Sequence, residues 1–198
     1  MASLPTVLVR TRMLTAPFCP RDALRRIIRW CAVGTMLLGA PILAQPTAPA
    51  NFVEASARIA TSGQPSPAWL EGLKARGFDA VVYLAPPTVS DAVHDEPLIV
   101  ARQGLVFVNL PIAFDHPTSV DYETFAGIMR GLSGHRVLVH CQINLRASSM
   151  VFLYLAIARR EDPQRAYEAV TSVWVPEGAW KSFIVGELKR NGIAFDPF

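Results

Sequence analysis

From residue 52 onward, short and nearly unbroken apolar runs alternate with longer stretches in which apolar residues return every three or four positions. The first pattern suits strands and the second suits amphipathic helices. Phe52–Ser62 reads as an extended region closing in the turn Ser62-Gly63-Gln64-Pro65. Ser66 is placed to cap a helix with Pro67 at its first position, and Gly77 supplies a left-handed stop. Asp79–Leu84 is β-branched and almost wholly apolar, the composition of a strand covered on both faces. A helix over Asp95–Gln103 ends at Gly104, and a strand follows over Leu105–Leu110. Thr118 with Asp121 three residues later predicts a capping box for a helix running to Leu132. Arg136–His140 is a third clear strand. Further helices are expected over Arg146–Arg159, from Asp162-Pro163, and over Ala179–Arg190, the last closed by Asn191-Gly192. Strands and helices joined by short links predict an α/β domain, a mainly parallel central sheet flanked by helices.

The segment before this domain has another character. Residues 1–44 hold six arginines (Arg10, Arg12, Arg21, Arg25, Arg26, Arg29) against Asp22, so the sequence pI near 9.0 belongs to this part and the remainder is mildly acidic. A nucleic-acid role would need a basic patch on the folded domain, and none stands out. Residues 30–44 form an uncharged apolar run behind the arginines, followed by a polar, Pro-rich stretch. A basic lead, a short apolar core and a small residue at the break make up a secretory signal. The run is shorter than the roughly 20 residues a membrane span needs and contains Gly34, Gly39 and Pro41. Cleavage is expected after Ala44, with Ile42 and Ala44 read by the peptidase; an uncleaved membrane anchor is the alternative. Met13 offers a second start, and Arg25-Arg26 a partial twin-arginine pattern. The expected organisation is a signal or anchor over 1–44, a linker over 45–51 and a domain over 52–198, placed in the periplasm or outside the cell, or tethered to the inner membrane through residues 30–44.

Apolar residues make up 51% of the 198 positions and charged residues 18%, which excludes a disordered or collagen-like chain. The three cysteines show no CxxC pairing, so neither a disulfide scaffold nor a structural zinc site is expected. Export would remove Cys19 and Cys31 and leave Cys141 as the one thiol of the mature chain. Its surroundings carry the chemistry. In parallel sheets ligands bind beyond the carboxyl ends of the strands. The strand over Arg136–His140 delivers His140-Cys141 to such an end, a short loop follows, and a helix begins near Arg146. Loop amides, a helix N-terminus and a guanidinium converging there form an anion cradle and favour thiolate over thiol at Cys141. The planar fork of Arg146 can hold two oxygens of a tetrahedral anion. A thiolate beneath a bound oxyanion is arranged for covalent attack on phosphorus. An inert core thiol with Arg146 pairing a carboxylate is the bland alternative.

At these residues the chain from about 52 to 190 resembles the dual-specificity branch of the protein tyrosine phosphatase superfamily. It is most similar there to a bacterial group that includes beta-lactamase-hydrolase-like phosphatase domains. The stretches that carry the likeness are TSGQPSPAWLEGLKARGFDAVVYLAPP, LVFVNLP followed by FDHPTSVDYETF, VHCQINLRAS and SVWVPEGAW. The resemblance implies a dual-specificity phosphatase-like fold. It also implies hydrolysis of phosphomonoesters, phosphotyrosine and phosphoserine among them, through a phosphocysteine, with no metal or organic cofactor. By position, Cys141 matches the nucleophile and Arg146 the phosphate-binding arginine. His140 matches the histidine that tunes the thiolate, and Gln142, Ile143, Asn144, Leu145 and Ala147 complete the binding loop. Asp115 stands where the general acid lies. Asp121 is the other candidate, but its place in the capping box gives it a structural role.

Two departures open other chemistries. Four residues separate Cys141 from Arg146 where the resembled loop has five, and four is the spacing of many rhodanese-like loops. Ala147 stands where the family has Ser or Thr, with Ser148 and Ser149 as neighbours that could substitute. A sulfurtransferase carrying a Cys141 persulfide and a catalytically weak phosphate-binding module therefore stand beside the phosphatase. The expected ligand is a phosphorylated small molecule or peptide, not a nucleic acid. Asn144 tolerates a left-handed backbone at the loop. His94, His116 and His135 read as surface residues, with His116 beside Asp115 able to line the site; Trp174 and Trp180 read as packing for the C-terminal helices, Gln64 as a turn residue with the site as its alternative, and Arg159-Arg160 as a solvated helix end.

Overall fold

The computed structural model describes residues 46–198; the signal or anchor expected over residues 1–44 lies outside the described residues. Five strands form one sheet: β1 (Val53–Ser56), β2 (Ile59–Ser62), β3 (Ala80–Tyr83), β4 (Val106–Asn109) and β5 (Val137–His140), in the spatial order β1-β2-β5-β3-β4. β1 runs antiparallel to β2, and every other pairing is parallel. The extended region expected over Phe52–Ser62 is thus a hairpin turning at Ala57-Arg58. Among the described residues six α-helices accompany the sheet: α1 (Pro67–Leu70), α2 (Glu96–Arg102), α3 (Ser119–Gly131), α4 (Leu145–Leu153), α5 (Pro163–Thr171) and α6 (Gly178–Arg190).

The central strands β3 and β5 are buried at every residue, as their unbroken apolar runs require. Successive side chains leave opposite faces of a strand, so each strand feeds two cores. Ala80, Val82, Val137 and Val139 join the larger core with Phe125 of α3, Val151 of α4, Val170 of α5 and Ile184 of α6. Val81 and Leu138 join the smaller one with Leu70 of α1 and Val100 of α2. Each fully buried aliphatic or aromatic side chain of this kind contributes about 1.5–3 kcal/mol.

The punctuation residues act as the pattern implies. The Ser66 side chain accepts from the Trp69 N–H, and Gly77 stops the following 3₁₀ turn with φ +79°. Thr118 and Asp121 form both halves of the capping box at α3. One expectation changes: the helix expected over Arg146–Arg159 is α-helical only to Leu153 and widens into a π turn over Tyr154–Ala158. No Gly or Pro signals this change. The wider turn places Tyr154 edge-on to Phe125, 6.3 Å between ring centroids. A cavity of about 590 Å³, lined by Arg58, Ile59, Val137 and Arg165 among others, lies at the amino ends of β2 and β5, opposite the end that carries Cys141.

Candidate active site

Parallel register brings Ser62, His140 and Tyr83 side by side as the last residues of β2, β5 and β3. The chain then leaves β5 through Cys141 into a loop of four residues that ends at the start of α4. Cys141 is 1% exposed, at the floor of this loop and continuous with the larger core. Its N–H donates to the Ser62 carbonyl at 3.2 Å, which holds the loop entrance to β2.

Neighbouring segments grip the loop by its carbonyls. The Gln64 N–H donates to the Gln142 oxygen at 2.9 Å, and Asn51 Nδ2 donates to the Ile143 oxygen, also at 2.9 Å. Asn144 sits at φ +76°, a left-handed conformation that asparagine accepts more readily than most residues. Its buried amide donates to the Asn51 carbonyl at 2.5 Å and to Thr61 Oγ1 at 3.0 Å, fixing the bend. Gly63 is required here, because a Cβ would stand 2.8 Å from the Gln142 oxygen. In a trans peptide the carbonyl and the following N–H point oppositely. With the Gln142 carbonyl turned to Gln64, the N–H of Ile143 faces away from that clamp. The antiparallel bridge between Gly63 and Ile143 directs the Asn144 N–H at the Ser62 carbonyl, whereas the N–H groups of Gln142, Ile143, Leu145, Arg146 and Ala147 have no protein acceptor among the described residues. Three of these open α4, where the first N–H groups of a helix have no intrahelical partner, and such a run is suited to an anion.

Arg146 turns inward and is 6% exposed. Its Nε donates to the Ile112 carbonyl at 2.9 Å, its Nη1 lies 3.5 Å from Gln142 Oε1, and its Cζ stands 5.1 Å from the Phe114 ring centroid. Among the described residues no carboxylate pairs with it. A buried cation without a counter-charge is costly, and an anion bound beside it removes that cost.

Asp115 follows Phe114 on the loop after β4 and is exposed. The loop is pinned by Trp180, whose Nε1 donates to the Phe114 carbonyl at 2.8 Å, and by the Phe114 ring against Trp174 and Trp180. The two tryptophans therefore pack the C-terminal region, as expected, and also hold the segment that carries Asp115. Asp121 is engaged in the cap, its Oδ2 accepting from the Thr118 N–H and hydroxyl at 2.8 and 2.7 Å. Ser148 donates to the Leu145 carbonyl at 3.3 Å, whereas the buried Ser149 hydroxyl has no partner among the described residues.

Several residues around the site escaped the sequence reading. Asn51, assigned to the linker, is part of the loop clamp. Asp91 accepts from Gln142 Nε2 at 2.9 Å. Glu96 is buried against His140, 2.7 Å from its Nε2, and Gln64 donates to Glu96 at 2.9 Å; the turn reading of Gln64 is incomplete for that reason. The Tyr83 ring stacks on His140 with centroids 4.7 Å apart. Only the position of Tyr83 at the carboxyl end of a strand could have drawn attention to it.

Burial pushes the Tyr83 hydroxyl up to about 12, helped by the nearby acidic groups, Asp91 first and then Glu96, and opposed by Arg146. Tyr122 also rises to about 12, chiefly from burial, with Glu187 adding to it. A phenol whose folded value lies above its unfolded value stabilises the protein fully below the unfolded value. That contribution disappears as pH climbs through the folded one. Thermal stability is therefore expected to fall steeply between pH 10 and about 12, with Tyr83 accounting for roughly 3 kcal/mol. Melting curves of Tyr83→Phe across this range should show a shallower decline than wild type; parallel curves would remove Tyr83 from the effect.

No family model matches the chain, and no curated protein matches it. Solved structures do. A candidate phosphatase of the DUF442 group from Shewanella putrefaciens CN-32 is 28% identical, with a TM-score of 0.68 over 73% of this chain and 93% of that one. The core catalytic domain of the PP-IP phosphatase SIW14 from S. cerevisiae, in complex with citrate, is 12% identical, with a TM-score of 0.59 over 77% and 99%. PTPMT1 in complex with PI(5)P is 15% identical, with a TM-score of 0.58 over 71% and 96%. The mostly parallel sheet, the helices flanking it and these likenesses together show that the described chain has the fold of the protein tyrosine phosphatase superfamily, and within it resembles the DUF442 phosphatase group.

Proposed function

We propose that the protein is a cysteine-dependent phosphatase that hydrolyses phosphomonoesters. The observation that carries this reading is Arg146, a nearly buried guanidinium that no carboxylate among the described residues pairs with, set beside the open backbone N–H groups at the start of α4 and next to a cysteine on the same loop. In the first step the Cys141 thiolate attacks phosphorus, an S–P bond forms, and the P–O bond to the leaving group breaks. Asp115 delivers a proton to the departing oxygen. In the second step water attacks the phosphocysteine while the Asp115 carboxylate takes its proton. The S–P bond breaks, phosphate leaves, and the thiolate is restored. Arg146 and the loop amides hold the equatorial oxygens throughout, where charge accumulates in the transition state.

The likeness to a structure holding PI(5)P and to a PP-IP phosphatase supports a phosphorylated small molecule as the ligand class, with a phosphorylated peptide as the other candidate. Asp115 is exposed and leaves the site by way of Phe114, which rests on Arg146, so the acid stands at the rim rather than the floor.

With p-nitrophenyl phosphate, whose leaving group needs little protonation, Asp115→Asn is expected to cost less than with an alkyl phosphate. With the alkyl ester the loss should be about a hundredfold or more. Equal rates for variant and wild type on the alkyl ester would remove Asp115 from the mechanism. Thiocyanate formation from thiosulfate and cyanide, with no ester hydrolysis, would replace the proposal by sulfur transfer. Phosphate binding without either reaction would leave a binding module.

A further inference from the structure

Beneath the loop lies a chain of three polar side chains that the catalytic steps do not use. Glu96 opens α2 and is 1% exposed; His140 is 0% exposed. Glu96 Oε1 lies 2.7 Å from His140 Nε2 as an ion-pair contact, and Glu96 Oε2 accepts from Gln64 Nε2 at 2.9 Å. The imidazole is sandwiched against Tyr83, with an interplanar angle of 17°, so it cannot turn away from the carboxylate. Neither ring nitrogen of His140, nor Glu96 Oε1, completes an aligned hydrogen bond among the described residues, so the 2.7 Å approach is a close charge contact oblique to the ring N–H direction. A carboxylate oxygen and a bare ring nitrogen repel at 2.7 Å, so a hydrogen on Nε2 relieves the contact even though the N–H is not aligned on Oε1. A carboxylate that accepts from one ring nitrogen decides which tautomer the other presents. His140 is the residue immediately before Cys141, so whatever orients its ring also orients the floor of the loop.

We infer that Glu96 is a positioning residue of the cysteine site, keeping a hydrogen on Nε2 of His140, and that Gln64 holds the Glu96 carboxylate in the orientation this needs. The effect on turnover rests on the phosphatase reading; the tautomer does not. Because the Gln64 amide donates to one oxygen of Glu96, the variant Glu96→Gln has a defined outcome. The introduced amide places its oxygen toward Gln64 and its NH₂ toward His140. Nε2 must then accept, and the ring hydrogen moves to Nδ1.

Nitrogen NMR of the full-length chain with isotope-labelled histidine reads this directly. The wild type is expected to show a protonated Nε2 on His140, and Glu96→Gln a bare Nε2 with a protonated Nδ1. Turnover of p-nitrophenyl phosphate should fall about ten- to a hundredfold in that variant, with KM little changed. Adding Gln64→Leu to Glu96→Gln frees the amide to rotate and is expected to restore the tautomer and part of the turnover, which a merely structural role would not do. A bare Nε2 in the wild type, or a Glu96→Gln variant whose tautomer or turnover is unchanged, overturns the inference; the wild-type spectrum needs no variant to fold. If the wild type hydrolyses no phosphomonoester, the phosphatase reading fails by itself. The two tautomers and the rate at which iodoacetamide alkylates Cys141 in each chain then decide the inference.

Discussion

Replacing Cys141 with serine is expected to abolish phosphomonoester hydrolysis, lowering kcat by roughly 10⁴-fold or more. A hydroxyl at this site has no adjacent base to ionise it: His140 is engaged with Glu96, and Asp115 stands on another loop. The fold should survive. Cys141 is 1% exposed and packed in the core, and the exchange nearly conserves volume, so the cost is that of one buried hydroxyl, about 1–3 kcal/mol. Hydrolysis of p-nitrophenyl phosphate alongside a thermal melt separates the two effects. A folded variant with near wild-type turnover would exclude Cys141 as nucleophile. The same variant incubated with substrate and analysed by mass should show no phosphate adduct, whereas rapidly quenched wild type should carry one.

Arg146→Lys is the second large effect, expected at about 10²–10³-fold in kcat/KM. The charge is retained, so the loss measures geometry. Arg146 spends Nε on the Ile112 carbonyl at 2.9 Å, which orients the remaining fork toward the loop. A lysine ammonium has no fixed fork and cannot serve that carbonyl and two phosphate oxygens in one plane. Binding gives an independent readout. Inorganic phosphate at about a hundred times its Kd should stabilise wild type by about 2.7 kcal/mol, while the variant, with its weakened site, should gain far less at the same concentration. Equal phosphate stabilisation in both chains would mean that the anion sits elsewhere.

Local interactions leave a mark in the sequence, and long-range ones do not. Strand and helix positions followed from apolar periodicity and from single residues with strong local preferences. Ser66 with Pro67, Gly77 and the Thr118–Asp121 box each ended or began an element where expected. Such signals are legible because they act within a few residues. Cys141 and Arg146 were legible for a related reason. They flank a loop of four residues at a strand end, and so short a link must bring its two ends together. The π turn after Leu153 was not legible, since no Gly, Pro or other local signal marks it and the contact it serves, Tyr154 on Phe125, is made with another helix.

The amino-acid sequence by itself determined an α/β order with a mainly parallel sheet, one strand end bearing a cysteine and an arginine, and an acidic candidate on the loop after β4. What only the tertiary structure decided is the company those residues keep: Gln64 and Glu96 under His140, Tyr83 stacked on its ring, Asp91 and Asn51 at the rim of the loop. Read along the chain, Glu96 is an ordinary acid in the first turn of a helix and Gln64 an ordinary turn residue. Parallel register places β2, β3 and β5 with their last residues level, and that alignment closes separations of many residues to hydrogen-bond distance. Hydrophobic periodicity records which face of an element is buried. It carries no information on which polar group, arriving from a distant element, will meet another inside.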